Sequence, residues 1–161
     1  MRTFLLALFL TCLAAPLAWA QTAIGFGGVA HDASQQIEVT SDSLRVDQTS
    51  GNAVFIGDVI IIQGDLRMAA GEVTVIYGTG DTQEVQQVLA MGGVLLTRGD
   101  DAAEGEQAEY SVADGTVIMS GNVLVTQGRT TIAGDRLNID LTTGNGTVEG
   151  RVRTILQPDG Q

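Results

Sequence analysis

The sequence predicts an all-β protein built from repeated antiparallel strand units. Apolar and polar residues alternate with a period of two, as they do from Leu137 to Leu141, and this alternation places one set of side chains on each face of a strand. Turn-forming residues such as those at 143–146 separate the alternating runs. No stretch after residue 20 has the periodicity of a helix. Together these observations favour an all-β domain over a helical or mixed one.

Three glycine markers recur along the chain. A Gly-x-Val step begins at Gly57, Gly92, Gly121 and Gly150, at spacings of 35, 29 and 29 residues. A second glycine follows seven residues later at Gly64, Gly99 and Gly128, and a third marker comes at Gly71, Gly105 and Gly134. Residues 41–47 match residues 134–140 closely, and the extra residues of the longest spacing map to 78–82. The pattern predicts an elongated stack of similar β units with one lengthened loop.

Residues 1–20 have the features of a cleavable signal peptide. Arg2 gives a positive start, an apolar run follows, and Ala18-Trp19-Ala20 fits the small-x-small pattern that signal peptidase recognises. The apolar run is short for a bilayer-spanning helix, which disfavours a membrane anchor. We therefore predict export, with Gln21 as the mature N-terminus.

The remaining chain divides into three predicted regions. Residues 21–35 are glycine-rich and have no periodicity, which predicts a flexible leader. The repeats begin at Gln36, and residues 36–157 are predicted to form one domain. Pro158 follows the last unit, so residues 158–161 are predicted to be a short C-terminal tail.

The charge of the chain excludes one class of partner. The full sequence of 161 residues carries a formal net charge of −11, and all eight basic residues are arginines. Without residues 1–20, which contain Arg2, the net charge becomes −12. Binding to nucleic acid depends on a basic surface, so we expect no nucleic-acid partner. The only cysteine, Cys12, lies in the predicted signal peptide, so we also expect no disulfides.

Few residues in the sequence suit catalysis. His31 is the only histidine, and the chain has no lysine, so neither an activated nucleophile nor a histidine metal site is expected. Carboxylates remain, with the densest cluster at 100–106, but their order does not fit a calcium loop. We interpret that cluster as a solvated loop. The sequence therefore predicts no catalytic residues, no metal and no cofactor.

The strands that contain the Gly-x-Val steps are unusually apolar. Every second residue of a strand faces the same side, and counting in twos from each marker glycine places medium-sized aliphatic side chains of successive units on one shared face. An ordinary protein core explains such a ladder, because interior stripes are common. A ligand groove explains it as well, because repeated β units with few aromatic residues form elongated folds with two ends.

Three stretches of the sequence resemble a known family. A signal sequence is followed by IEVTSDSLRVD at 37–47, then by AVFIGDVIIIQGDLRMAAGEVTV at 53–75, and the pattern recurs as VIMSGNVLVTQGRTTIAGDRLNIDL at 117–141. This sequence resembles the OstA-like domain family of periplasmic lipopolysaccharide transport proteins over about residues 36–156. Within the family, a cleavable signal, a single repeat domain and no anchor favour the LptA type.

The resemblance implies a fold and a function. The fold would be an elongated, open, twisted β-jelly roll in the periplasm, whose apolar inner face accepts the acyl chains of lipid A. The implied partners are lipopolysaccharide, LptC-like and LptD-like proteins bound by strand addition, and further copies of the chain joined head to tail. The implied ligand-binding residues are Leu44, Val46, Phe55, Val59, Ile61, Val73, Val75, Val94, Leu96, Tyr110, Met119, Val123, Val125, Leu137 and Ile139. The implied partner strands contain Ile37, Val39, Val148, Val152 and Ile155.

Two alternatives remain open at the level of the sequence. The chain could be an OstA-like domain of the LptC type or of the LptD N-terminal type. It could also be a lipid-free β-repeat scaffold with a dry core. Alternation alone does not distinguish a dry core from a groove, because both use the same pattern.

Overall fold

The computed structural model describes residues 22–27, 32, 34–78 and 84–157, which form one antiparallel sheet of eleven strands. The predicted signal peptide and the C-terminal tail lie outside these residues. The strands are β1 (Thr22–Gly25), β2 (Ile37–Thr40), β3 (Ser43–Val46), β4 (Ala53–Gln63), β5 (Leu66–Tyr77), β6 (Val85–Arg98), β7 (Asp101–Ser111), β8 (Thr116–Gln127), β9 (Thr130–Asp140), β10 (Asn145–Glu149) and β11 (Arg153–Leu156). The described part of the chain contains no helix that is long and apolar enough to cross a membrane.

The sheet follows the order of the chain except at its two ends. The order is β1-β10-β9-β8-β7-β6-β5-β4-β2, while β3 also pairs with β4 and β11 also pairs with β9. Each terminal pair is a strand broken in two, because β2 and β3 pair with the two halves of β4, and β10 and β11 pair with the two halves of β9. All pairings are antiparallel, as the repeated hairpin pattern predicts.

The Gly-x-Val steps form a line of β-bulges across the sheet. Gly57, Gly92, Gly121 and Gly150 have φ values of 77° to 83°, and the next residue in each step also has a positive φ. The register shifts at the internal steps, between Ile56 and Val59 for example, because one extra residue is inserted there. Only glycine enters this backbone region without steric cost, which explains why the marker recurs. We call this line of bulges the glycine seam.

The third glycine marker lies opposite these bulges. A Cβ atom at Gly71 would come within 3.1 Å of the Gly92 carbonyl oxygen, and one at Gly134 within 2.9 Å of the Glu149 carbonyl oxygen. In the strands that carry this marker, the alternation of inward and outward side chains shifts by one residue at the glycine. In β5, Met68 and Ala70 point inward before Gly71, and Val73 points inward after it. The sheet bends along the seam because bulges increase local twist and bending.

The bend divides the sheet into two layers that enclose the core. Layer A contains β1, β3, β10 and the strand segments 53–56, 72–77, 85–91, 107–111, 116–120 and 136–140. Layer B contains β2, β11 and the segments 59–63, 66–70, 94–98, 101–105, 123–127 and 130–134. The inward side chains of both layers form one apolar cluster of buried residues. The predicted all-β fold class with antiparallel strands is therefore confirmed.

The second glycine marker closes the hairpins of layer B. Gly64, Gly99 and Gly128 have φ values of 54° to 59° and are the first residues of two-residue turns. The residue after each has no positive φ, which is the pattern of a type II′ turn. The predicted longer loop lies between Tyr77 and Val85, although residues 79–83 are outside the described part.

The prediction of a flexible leader is wrong for its first residues. Thr22–Gly25 form strand β1, which pairs with β10, and Phe26 is fully buried in the core. The Phe26 backbone N–H also donates a 2.6 Å hydrogen bond to the Gly144 carbonyl oxygen. The periodicity was missed because Thr22, Ile24 and Phe26 are too few inward residues to stand out among glycines.

Candidate functional site

The space between the two layers contains most of the predicted ligand-binding residues. Twelve of the fifteen are buried there: Val59, Ile61, Val73, Val75, Val94, Leu96, Tyr110, Met119, Val123, Val125, Leu137 and Ile139. Phe55 is half-buried and packs against the same cluster. The two layers therefore share one continuous apolar interior, and its residues come from every repeat unit.

The interior is open to solvent at the β2/β3 end of the stack. Leu44 and Val46 in β3 are 56% and 57% exposed. They are opposite Phe55 and Ala53 in β4, so they belong to the inner face of layer A. Nothing is paired to the outer edge of β3 among the described residues. These two predicted residues thus form an exposed apolar lip rather than part of the enclosed interior.

The other end of the stack has an exposed lip on the opposite layer. Leu156 in β11 is 71% exposed and is paired with Thr130 of β9. Thr154 is opposite the buried Ile132, so alternate residues place Leu156 on the inner face of layer B. The apolar interior therefore extends to solvent at both ends, on layer A at one end and on layer B at the other.

A short polar chain joins the two layers across the interior. The Tyr110 hydroxyl in layer A donates to Gln63 Oε1 in layer B at 2.9 Å, and Gln63 Nε2 donates to the Gln35 carbonyl oxygen at 3.0 Å. Burial raises the pKa of the Tyr110 hydroxyl above its ordinary value of 10.0, so it remains a neutral donor. Buried polar groups that are hydrogen-bonded in this way fix the relative position of the layers.

A buried arginine lies at the rim of layer B. The Arg98 side chain is almost fully buried, and its Nε donates to Asp65 Oδ2 at 2.9 Å. Its Nη1 is buried without a hydrogen-bond partner among the described residues. Gly27 packs against this side chain so closely that a Cβ there would be 2.3 Å from Arg98 Cδ. The segment after β1 therefore covers the charged rim.

That segment also ties layer A to layer B. The Gly27 N–H donates to Asp101 Oδ2 at 2.7 Å, and Gln127 Nε2 donates to the Gly25 carbonyl oxygen. Gln127 Nε2 also donates to Asp101 Oδ2 at 3.0 Å. Since β1 belongs to layer A and these partners belong to layer B, residues 25–27 close the gap between the layers at the β1 end.

The interior is closely packed where the layers meet. A cavity of about 10 Å³ remains between them, lined by Ile37, Ile61, Gln63, Leu66, Met68, Val88 and Tyr110. This volume holds about one water molecule and is much smaller than an acyl chain. An acyl chain enters this part of the interior only if the two layers move apart there.

The predicted partner residues occupy different environments. Ile37 and Val39 are in β2, which pairs only with β4 in the described sheet, and Ile155 is in β11, which pairs only with β9. Val152 lies just before β11 and packs against the core. Val148 is fully buried in β10, which is paired with both β1 and β9, so it does not lie at a free edge in this structure.

Sequence reasoning missed several inner-face residues. Leu66, Met68, Ala103 and Ile132 are buried in layer B, on the strands that change parity at the third glycine marker. Extending the alternation of Val73 backward through Gly71 assigns the wrong face to these positions. These residues are assigned to the inner face correctly if the alternation is restarted at each marker glycine, because Leu66-Arg67-Met68 alternates correctly by itself.

The acidic cluster lies in a strand, except for Asp100, which is in the turn before it. Asp101–Ser111 form β7, in which Glu104 and Glu109 are exposed on the outer face. No group of three or more His, Cys, Asp or Glu residues within the described part of the chain is arranged to hold a metal ion. The cluster therefore contributes a charged outer surface to the sheet.

Comparison with known proteins assigns this architecture to a family. A family model described as the LptA/(LptD N-terminal domain) LPS transport protein family matches residues 38–145. The chain belongs to this family. The family expected from the sequence is thereby confirmed, and the matched range runs from β2 to the start of β10.

Individual relatives agree with this assignment. A protein of Rhizobium meliloti is 28% identical over 137 residues, which cover 79% of this chain and 74% of that protein. The lipopolysaccharide export system protein LptA of Escherichia coli K12 is 28% identical over 114 residues, which cover 68% of this chain and 62% of the E. coli protein. The chain is thus similar to less than two thirds of the E. coli relative.

A solved structure has the same fold. The chain is similar to LptH, the LptA-homologous periplasmic component of the lipopolysaccharide transport device of Pseudomonas aeruginosa, with a TM-score of 0.70 and 22% identity. The similarity covers 79% of this chain and 99% of the LptH chain. At this identity the comparison supports the LptA-like β-jelly roll.

Proposed function

We propose that this member of the LptA/LptD N-terminal domain family is a periplasmic carrier that binds lipopolysaccharide through the acyl chains of lipid A. The observation that supports the proposal most directly is the shared apolar interior, which every repeat unit lines and which is exposed at both ends. The family and its relatives in lipopolysaccharide export support the identity of the ligand.

The chemistry of the interior suits acyl chains better than sugars. Its buried residues are nearly all aliphatic, and Gln63 and Arg98 are the buried polar or charged residues of the described part. Each methylene removed from water contributes about 0.8 kcal/mol, so several acyl chains supply enough binding free energy without a covalent step. The strong net negative charge implies that the lipid is held mainly by its tails.

The proposal requires an opening motion. The cavity of about 10 Å³ beside Tyr110 is too small for an acyl chain, so binding there needs the layers to separate along the edge opposite the glycine seam. The Tyr110–Gln63 hydrogen bond and the contacts of residues 25–27 join the layers along that edge. Such an opening would start at the lip formed by Leu44 and Val46, because both side chains are already more than half exposed.

The free edges suit strand addition by partners. β2 and β3 leave one side of the sheet unpaired at one end, and β11 leaves one side unpaired at the other, within the described residues. Unpaired backbone N–H and C=O groups of an edge strand bind a further strand readily. We propose that LptC-like and LptD-like proteins, or further copies of the chain, pair with these edges.

We also propose that the signal peptide is cleaved before Gln21, so that Gln21 begins the exported protein.

Photo-crosslinking in cells tests the lipid site. Replacing Phe55 by p-benzoylphenylalanine preserves an aromatic side chain on the half-buried inner face, and Leu96 offers a fully buried position. We expect both to capture lipopolysaccharide, detected by immunoblot of the shifted band.

Leu95 is the matched control for Leu96. It is the same residue type, is adjacent in β6, and is exposed on the outer face. Asn138 gives a second outward position in β9. Equal capture of lipopolysaccharide from the inner and outer positions would refute an interior site.

The close packing between the layers beside Tyr110 favours one alternative. A lipid-free β-repeat scaffold needs only a dry core and end-to-end pairing, and the small cavity fits such a core. Native mass spectrometry of protein extracted gently from cells that make lipopolysaccharide distinguishes the two. A lipid adduct favours the carrier, and assemblies without any adduct favour the scaffold.

A further inference from the structure

The strand β1 covers an edge that would otherwise be free. It pairs with β10 through four residue pairs, from Thr22 opposite Val148 to Gly25 opposite Asn145. It lies outside the residues that match the family model, which begin at 38. The β10 edge of layer A is therefore covered by a strand from the N-terminal side of the chain.

The position of β1 is the one that the next copy would take in a head-to-tail stack. Seven antiparallel steps separate β3 from β10 in layer A, so the two strands run in opposite directions. A second copy placed after β10 would therefore present its β3 antiparallel to β10. β1 is also antiparallel to β10 and occupies this place.

The side chains of β1 match those of β3 in pattern. Thr22 and Ile24 face inward and alternate with exposed residues, as Leu44 and Val46 do on the inner face of β3. Ile24 packs against the bare backbone of Gly146, where an added Cβ would be 2.7 Å from Ile24 Cγ1. A second copy would bury its exposed Leu44 and Val46 at the same positions.

The attachment of β1 is limited to one neighbouring strand and the residues at its C-terminal end. Within the described residues β1 pairs only with β10, and its inward residues are half-buried. The fully buried Phe26 and the hydrogen bonds of Gly25 and Gly27 with Gln127 and Asp101 anchor it further. Layer B behaves differently at this end, because β11 has no strand on its outer side in the described sheet. The end is therefore covered in layer A and free in layer B.

We propose that β1 is an internal cap that mimics β3 of a second copy, and that head-to-tail assembly at this end requires β1 to leave β10. The surface recognised is the β10 edge, and the partner is the β3 edge of another copy of this chain. This inference rests on the proposed end-to-end assembly of the carrier. It adds that the N-terminal strand competes with assembly.

A reversible disulfide tests the cap. Ala23 and Thr147 are opposite each other on the outer face of the β1–β10 pair, and no cysteine follows Cys12 in the sequence. The variant Ala23→Cys/Thr147→Cys, purified from the periplasm, locks β1 when oxidised, because opposite residues in a sheet are close enough for a disulfide. We expect sedimentation velocity to show at least tenfold weaker self-association in the oxidised form than in the same protein after reduction.

Gln107→Cys/Ser120→Cys is the matched control. These residues are opposite each other on the outer face of β7 and β8, in the middle of the sheet. Their disulfide should leave self-association unchanged. Equal self-association of the oxidised and reduced cap variant would refute the proposal, as would the absence of self-association in every form.

Phe26→Ala gives an independent second test. Loss of this buried side chain should weaken the attachment of β1 and strengthen self-association severalfold. The self-association of Phe26→Leu should be closer to that of the unchanged protein. Unchanged or weaker self-association in Phe26→Ala would contradict the cap. Crosslinking of lipopolysaccharide from Phe55 in the same preparations reports separately on lipid binding, so failure of the lipid proposal is distinguishable from failure of the cap.

Discussion

Strands β3 and β9 have nearly the same sequence pattern and very different environments. Residues 41–47 correspond to 134–140, so Leu44 is the counterpart of Leu137 and Val46 the counterpart of Ile139. Leu137 and Ile139 are fully buried, whereas Leu44 and Val46 are more than half exposed. Among the described residues, β9 has neighbours on both sides, and β3 has one neighbour and a free edge. The repeat pattern therefore specifies the strand, while the position of the strand in the stack specifies its burial.

The turns after these two strands are the same in detail. In each turn the side-chain Oδ1 of an aspartate accepts hydrogen bonds from the backbone N–H groups two and three residues later. The backbone carbonyl oxygen of the same aspartate accepts a hydrogen bond from the N–H of a glycine. The donors are Thr49 at 2.8 Å, Ser50 at 3.2 Å and Gly51 at 2.7 Å for Asp47, and Thr142 at 2.9 Å, Thr143 at 3.1 Å and Gly144 at 2.8 Å for Asp140. Local hydrogen bonding is thus conserved between the two units even where burial is not.

The largest expected difference between the two strands is in core stability. Leu137→Ala removes a fully buried side chain and should lower the free energy of unfolding by about 2–5 kcal/mol, because a cavity remains. Leu44→Ala should lower it by less than about 1 kcal/mol, because that side chain is already largely hydrated. Urea unfolding followed by circular dichroism measures both. Similar losses for the two variants would mean that β3 is enclosed in solution, for example by a second copy.

Replacing a seam glycine by alanine should lower the free energy of unfolding by the same amount in both units. Gly57 and Gly150 have positive φ values, and a Cβ at either would be about as close to an aspartate carboxylate, 2.4 Å from Asp42 Oδ2 and 2.5 Å from Asp135 Oδ2. Gly57→Ala and Gly150→Ala should each cost about 1–2 kcal/mol of unfolding free energy, because an L-residue is strained in this region. Gly25→Ala is the control, since a Cβ there meets no atom within 4 Å. A much larger cost at Gly150 alone would show that burial, and not local backbone strain, dominates at the seam.

The smallest expected effect is in the acid stability of the two turns. Backbone N–H donation, chiefly from Thr49 and from Thr143 respectively, lowers the pKa of Asp47 and of Asp140 below 3.8. A lowered pKa in the folded state contributes stability above pH 3.8 that is lost as the pH falls through the folded value. Asp47→Asn and Asp140→Asn should each flatten the fall in unfolding free energy in this acid range, to a similar small extent. Carboxyl-carbon NMR titration measures the two pKa values directly, and an unshifted pKa at either aspartate would contradict the shared turn.

Much of the interior was predictable from the sequence, and the failures have a common cause. Val59, Val94 and Val123 were assigned to the inner face because the Gly-x-Val step fixes their parity locally. Met68 and Ile132 were missed because the partner strands change parity where they pass the bulges. That change depends on which strand lies opposite, which the sequence of one strand does not contain.

The sequence by itself determined the repeated strands, the turns between them and the positions of the recurring glycines. Backbone sterics and side-chain alternation act over a few residues, so Gly57, Gly92, Gly121 and Gly150 could be located without coordinates, whereas their positive φ values and the bulges emerged only from the structure. Only the tertiary structure decided which of these equivalent units is buried, how closely the layers meet, and where Thr22–Gly25 and Phe26 dock. Burial and docking depend on contacts between residues far apart in the chain, and identical local patterns acquire different roles at the middle and at the ends of the stack.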